Sequence, residues 1–166
     1  EHIGVGSIPL VIIIGFFSVA VSAWQAAYQF QGFISLSYLG SAVTKAIFIE
    51  LGPVLTAIVL AGRIGASIAA ELGTMKVTEQ IDALESLAIN PVRYLVMPRF
   101  LASIVMLPLL TVIANFIAIM GAFGVAYFFQ DVSFQVFLSR AKRVFDIKDI
   151  IGGLIKAFCF GASISI

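Results

Sequence analysis

From Ile3 to Thr44 the chain carries no charged side chain. A charge-free run longer than about 18 residues has one stable form in hydrocarbon, a helix whose backbone polar groups bond within their own segment. Composition agrees: 61% of residues are apolar and 11% charged, with a mean hydropathy of +1.10, whereas a soluble domain is about one-quarter charged. The run is too long for a secretory signal and lacks its basic start. A net charge of +1 gives no reason to expect nucleic acid as a partner. Cys159 is the single cysteine, which excludes an intrachain disulfide and a cysteine metal cluster. His2, the single histidine, reads as a terminal residue, because a metal site needs several convergent donors. No catalytic residue and no metal ligand is expected.

Four apolar segments follow one another, predicting an all-α polytopic membrane domain over 1–166 with about four spans. The first runs from about Ser7 to Phe30, and Trp24, Gln25, Tyr28, Gln29 and Gln31 place its far end among lipid headgroups. After a turn through Gly32, the second runs from near Tyr38 to about Met75. At 1.5 Å per residue its roughly 38 residues are nearly twice the hydrocarbon thickness, so it kinks or protrudes. Pro53 supplies the kink by taking away the donor to the Ile49 carbonyl, and Arg63 marks where the helix leaves the bilayer. Ala57, Ala61, Gly65, Ala69 and Gly73 recur every four residues, a small-residue ridge read as a helix-packing face. The third segment runs from about Phe100 to Phe129, after an interfacial stretch Arg93–Arg99. The fourth starts near Asp149 and is still apolar at Ile166, so the chain is expected to be a fragment of a longer protein.

Two polar islands separate these spans. In the first, Thr78 is placed to cap a helix of about three turns with Glu79 and Asp82 in its opening turn, and Asn90-Pro91 stops it. Ile81, Leu84 and Ala88 share one face, with Glu79, Asp82 and Glu85 as an acidic stripe beside it. Such a helix fits a groove in another protein or serves as a solvated connector. The second island, Gln130 to Lys148, spaces Phe134, Phe137, Leu138, Ala141 and Phe145 helically around Arg140, Lys142 and Arg143, as in a helix lying on a membrane surface. Each island has four basic residues, so the positive-inside rule does not orient the chain.

Two ionisable residues lie deep in spans: Glu50 in the second and Lys156 in the fourth. Charge at that depth is normally paired or facing a polar cavity. A buried ion pair holding two helices, or a polar patch touching a lipid headgroup, both satisfy this. For acyl chains the end of the first span offers Phe30 and Phe33, with Ser22 and Gln29 on a neighbouring face.

The triplet Glu-Leu-Gly occurs at Glu50-Leu51-Gly52-Pro53 and again at Glu71-Leu72-Gly73-Thr74. Together with Leu60-Ala61-Gly62-Arg63-Ile64-Gly65-Ala66, Thr78-Glu79-Gln80-Ile81-Asp82-Ala83-Leu84, Asn90-Pro91 and Pro98-Arg99, these residues make the chain resemble the MlaE/YrbE family of permeases. Family members are membrane subunits of ABC transporters that move phospholipids and related lipids between bacterial membranes. Ile49 stands where the family often has a basic residue, and the resemblance leads one to expect that the family's interfacial helix before the first span and its fifth span are absent from or truncated in this stretch. The resemblance implies that Thr78, Glu79, Gln80, Ile81, Asp82, Leu84 and Glu85 form a cytoplasmic coupling helix seated in an ATPase. The Phe134–Phe145 helix would then face the periplasm. It further implies a second copy of the chain, a periplasmic MCE-domain protein, phospholipid as cargo, the bacterial inner membrane as location, and ATP with Mg in the partner only. In keeping with this, no G-x-x-x-x-G-K-[ST] phosphate loop occurs in the chain. An ion-coupled secondary transporter or channel using Glu50 and Lys156 as a relay is the alternative; such a relay is expected to align several intramembrane acids. A purely structural membrane scaffold is a third reading.

Overall fold

The computed structural model describes residues 5–30, 32, 35, 38–130 and 132–164, and every regular element among them is helical. After a short 3-10 turn at Val5–Ser7 come α1 (Ile8–Phe30), α2 (Leu39–Ala46), a π turn (Ile47–Leu51), α3 (Gly52–Val77), α4 (Gln80–Ser86), α5 (Pro91–Gln130), α6 (Phe134–Val144) and α7 (Ile147–Ile164). Gly32, at φ +91°, sits in the turn that reverses the chain after α1, a conformation that glycine adopts without steric penalty.

The segment α2–π turn–α3 is one rod of 39 residues from Leu39 to Val77. Where the sequence predicts a proline kink, the structure has the π turn: the Gly52 amide donates to Ile47, five residues back, and Pro53 opens α3. The Arg93–Arg99 stretch, expected as an interfacial connector, is already helical, because α5 starts at Pro91 and continues through Pro98 and Pro108 for 40 residues. Among the described residues three helices are long and apolar enough to cross a membrane: α1, the Leu39–Val77 rod and α5. The expected fourth, α7, is helical over Ile147–Ile164, with Lys148, Asp149 and Lys156 among its residues.

Helices in lipid gain little from burying apolar area against each other, so close approach of small side chains decides which faces meet. On α1 that face is Gly15, Val19, Ala23 and Ala27; on α5 it is Ala114, Ala118, Ala122 and Ala126, all buried. A second cluster joins Val11, Ala57, Leu60, Ile64, Leu107 and Leu110. On α7 the buried row is Gly153, Ala157 and Gly161, and a Cβ at Gly161 would lie 3.0 Å from the Ser103 carbonyl oxygen of α5.

Of the ridge singled out in the sequence, only Ala57 is packed within this chain. Ala57 is buried, but Ala61, Gly65, Ala69 and Gly73 are exposed, and a Cβ at Gly65 or Gly73 would meet nothing beyond its own stretch of helix within 4 Å among the described residues. Burial on α3 ends at Ile64, beyond which the rod runs past the end of α1. There the Arg63 guanidinium bonds the Gly6 carbonyl, tying the start of α1 to the rod. Gly65→Leu is therefore expected to shift the thermal unfolding of the detergent-purified monomer by no more than an ordinary surface change, within about 0.5 kcal/mol. A fall of several degrees would place Gly65 in a contact made outside this chain.

Candidate functional site

The first Glu-Leu-Gly-Pro is built around its own backbone. The Gly52 amide is already committed to Ile47, and Pro53 has no amide hydrogen, so one carbonyl of the Phe48–Ile49 pair goes without its helical donor. Helix α7 answers on both sides. Lys156 Nζ donates to the Ile49 carbonyl at 2.9 Å, and Gly153 lies so close under the Phe48 carbonyl that a Cβ would collide with it. Pro53 is fully buried, and its ring faces Gly153 as well, with Cγ 3.4 Å from where a Cβ would stand. Across the rod, Gly52 lets the buried Asn115 of α5 approach, and Thr56 Oγ1 returns a 2.7 Å bond to the Gly52 carbonyl.

Lys156 thus finds its partner in a backbone carbonyl, and no ion pair joins it to Glu50 among the described residues. A charge-assisted bond of this kind is worth about 1.5–3 kcal/mol when shielded and less here, where Lys156 is exposed. Lys156→Met is expected to lower stability by about 1 kcal/mol. Pro53→Ala, which restores an amide donor to the turn, should make the same Lys156→Met change nearly silent. Chemical unfolding of the four variants measures the coupling; equal losses in both backgrounds would disconnect Lys156 from the proline.

Glu50 is exposed on the π turn and lines an open groove of about 490 Å³ with Tyr38, Ser41, Lys45, Ile49 and Val144. Ile49 also walls an adjoining groove of about 130 Å³, whose other lining is Lys148, Asp149, Gly152, Gly153 and Lys156 of α7. Lys45 Nζ and Asp149 Oδ2 face each other at 3.7 Å between the two. The amphipathic helix expected over Gln130–Lys148 is present as α6, and it closes this end by docking on α2 rather than lying free. Phe137 and Ala141 are buried, Ser41 Oγ donates to the Arg140 carbonyl at 3.0 Å, the Arg140 guanidinium stacks 4.4 Å over the Tyr38 ring, and Phe145 meets Phe48 edge-on. Sequence reading missed Lys45 and Asp149. The signal was present in Asp149 and Lys156, which are seven residues apart and so share one helix face.

The remaining cavity candidates are not gathered there. Ser22 Oγ bonds the Ser18 carbonyl at 2.9 Å, Gln29 is exposed, and Phe30 packs against the α1–α5 core; Phe33 lies outside the described residues.

At the opposite end of the rod, α4 spans Gln80–Ser86, two turns rather than three. Thr78 does not cap it: Thr78 Oγ1 turns back to the Thr74 carbonyl at 2.8 Å and finishes α3, leaving Glu79 as the residue before α4, at φ 57°. After α4, Ala88 takes φ 58°, with the Ile89 amide bonded to Leu84 and the Ala88 amide to Glu85, a Schellman closure made without glycine. The only two non-glycine residues with positive φ among those described bracket this one short helix. Asn90 opens α5, its side-chain oxygen accepting from the Arg93 amide at 3.2 Å. Ile81 and Leu84 are half-buried, while Gln80, Asp82 and Glu85 are exposed. Two ion pairs hold this end: Lys76–Asp82 at 2.7 Å between α3 and α4, and Arg99–Glu71 at 2.8 Å between α5 and α3. The second Glu-Leu-Gly therefore supplies a clamp, whereas the first lines a groove.

The whole chain, residues 1–166, matches the family model described as Permease MlaE. It is 42% identical over 164 residues to a protein of Rickettsia typhi described as a probable ABC transporter permease protein, covering 99% of this chain and 63% of that one. Proteins with the same description from Porphyra purpurea and Synechocystis are 37% and 35% identical, covering 98% and 99% of this chain and 62% of each relative. The chain thus spans a little under two-thirds of the length of these relatives.

Proposed function

This chain belongs to the MlaE permease family, and on that footing we propose that it is the membrane subunit of an ABC transporter that carries phospholipid between the inner and outer membranes. In this reading α4 is the cytoplasmic coupling helix, ATP and Mg are bound by a separate ATPase, and α6 with the Glu50 groove faces the periplasm of the inner membrane. Two copies work together, passing lipid to or from an MCE-domain protein.

The observation that carries the reading is α4. Its backbone is held in two left-handed positions, Glu79 and Ala88, that cost about 1 kcal/mol or more each for non-glycine residues. Strain of that kind persists where the surroundings over-determine it, and two ion pairs anchor the neighbouring helix ends. An amphipathic helix at the tip of two rods, joined to one of them by the Lys76–Asp82 pair, can transmit the movement of an ATPase seated on it. The relay alternative finds less support, since Lys156 is engaged by a carbonyl and Asp149, the acid of the adjoining groove, faces Lys45 rather than Glu50.

The test is to change this helix without touching the span. In the full-length protein, Ile81→Asp should insert and fold as the parent does, yet recover several-fold less ATPase on pull-down. Full recovery of the ATPase would overturn the assignment of α4.

A further inference from the structure

We propose that Lys45 and Asp149 form a displaceable latch on the Glu50 groove, in which Lys45 takes the phosphodiester of a lipid headgroup once Asp149 gives way; this rests on the lipid-permease reading above. The pair is loose. At 3.7 Å the ammonium and carboxylate are beyond hydrogen-bond reach, and the facing oxygen, Asp149 Oδ2, is shielded from solvent with no hydrogen-bond donor among the described residues. An acceptor so placed loses its hydration without full compensation, so the closed pair holds less tightly than its charges suggest.

The two partners are unequally placed. The Lys45 side chain is 50% exposed and opens into the groove with Glu50, while that of Asp149 is 21% exposed, held in the first turn of α7 where the helix dipole favours its charge. An incoming anion therefore meets Lys45 from the groove side while Asp149 stays in its helix. Around the joined grooves stand Lys45, Lys148 and Lys156 against Glu50 and Asp149, an excess of cation. Lys156 is already engaged by the Ile49 carbonyl and Lys148 lines the smaller groove, which leaves Lys45 as the cation standing in the Glu50 groove itself. A phosphodiester brings one charge and unesterified oxygens that accept directly from the ammonium, a shorter contact than Asp149 makes. An apolar groove between α5 and α7, walled by Val105, Leu109, Ile151, Ile155 and Phe158, gives acyl chains an apolar surface on the helix that carries Asp149.

The test uses the full-length permease with its partner subunits, titrated with phosphatidylglycerol or with diacylglycerol of the same acyl chains, bound lipid being counted by native mass spectrometry. Lys45→Met should weaken phosphatidylglycerol binding about tenfold and leave diacylglycerol unchanged, with Lys45→Arg restoring the preference. Asp149→Asn should strengthen phosphatidylglycerol binding several-fold, a gain that misfolding does not mimic. Equal phosphatidylglycerol binding in the parent, Lys45→Met and Asp149→Asn would overturn the latch and leave the lipid-permease reading standing. Failure of the parent to bind either lipid would overturn both. Competition by millimolar inorganic phosphate would assign Lys45 to free phosphate and overturn the headgroup latch.

Discussion

Gly153→Val is expected to detach α7 from the rod and leave the protein unable to survive purification in detergent. A Cβ at this position runs into the Phe48 carbonyl oxygen, and the Pro53 ring closes the other side at 3.4 Å. Neither obstacle can swing away as a flexible side chain would, because one is backbone and the other a fully buried proline. Overpacking of this sort costs typically 1–3 kcal/mol and occasionally more, and here the γ-methyls add to the collision. The same displacement would carry Lys156 off the Ile49 carbonyl, so the loss should exceed that of Lys156→Met alone. Monodispersity on size exclusion and thermal unfolding in detergent read the effect. A Gly152→Val control one residue earlier, where a Cβ meets nothing within 4 Å, should be benign. Equal behaviour of the two variants would mean that α7 does not seat on the π turn.

Gly52→Ala is expected to be nearly as damaging, with a defined route to rescue. Its new methyl would occupy the place of Asn115 Oδ1 and stand 3.0 Å from the Ile47 carbonyl oxygen. Asn115 is buried, so its side chain would have to turn aside within packed surroundings, and the Ile47 carbonyl oxygen, being backbone, cannot move with it. The single change should destabilise by about 1–3 kcal/mol. Because the main obstacle is one side chain, Asn115→Ala combined with Gly52→Ala should recover most of the loss, giving a coupling energy of the opposite sign to the single costs. Denaturant or thermal unfolding of the full cycle measures it. Simple additivity of the two changes would show that the glycine is needed for its backbone and not for the asparagine.

Much of the architecture was legible in the residues. Absence of charge over 3–44 and hydropathy elsewhere point to spanning helices, and the polar islands locate α4 and α6, because each signal depends only on the solvent a segment prefers. Pro53 as the residue that strips a donor from Ile49 was likewise readable, since that effect is covalent. Helix ends were read less well. Thr78 and Asn90 are both capping residues by type, yet Thr78 closes the preceding helix and Asn90 opens the following one. The chemistry of a hydroxyl or an amide does not say which neighbouring amide or carbonyl it will reach.

The ridge shows the same division more sharply. Small residues at every fourth position occur in α1, α3, α5 and α7, and the sequence pattern is equally good in each; the structure uses those of α1, α5 and α7 and leaves most of the α3 row exposed. Likewise the two Glu-Leu-Gly triplets are identical as strings, but Glu50 lines a groove while Glu71 clamps Arg99. What the sequence alone determined was what each segment can dissolve in, where it is helical and where a backbone donor is missing, because those depend on residues near in the chain. Which small face meets which, that Lys156 answers the Ile49 carbonyl, and that Lys45 faces Asp149 were decided only by tertiary structure. Those contacts join residues about a hundred positions apart, and their distances follow from how whole helices dock rather than from any local preference.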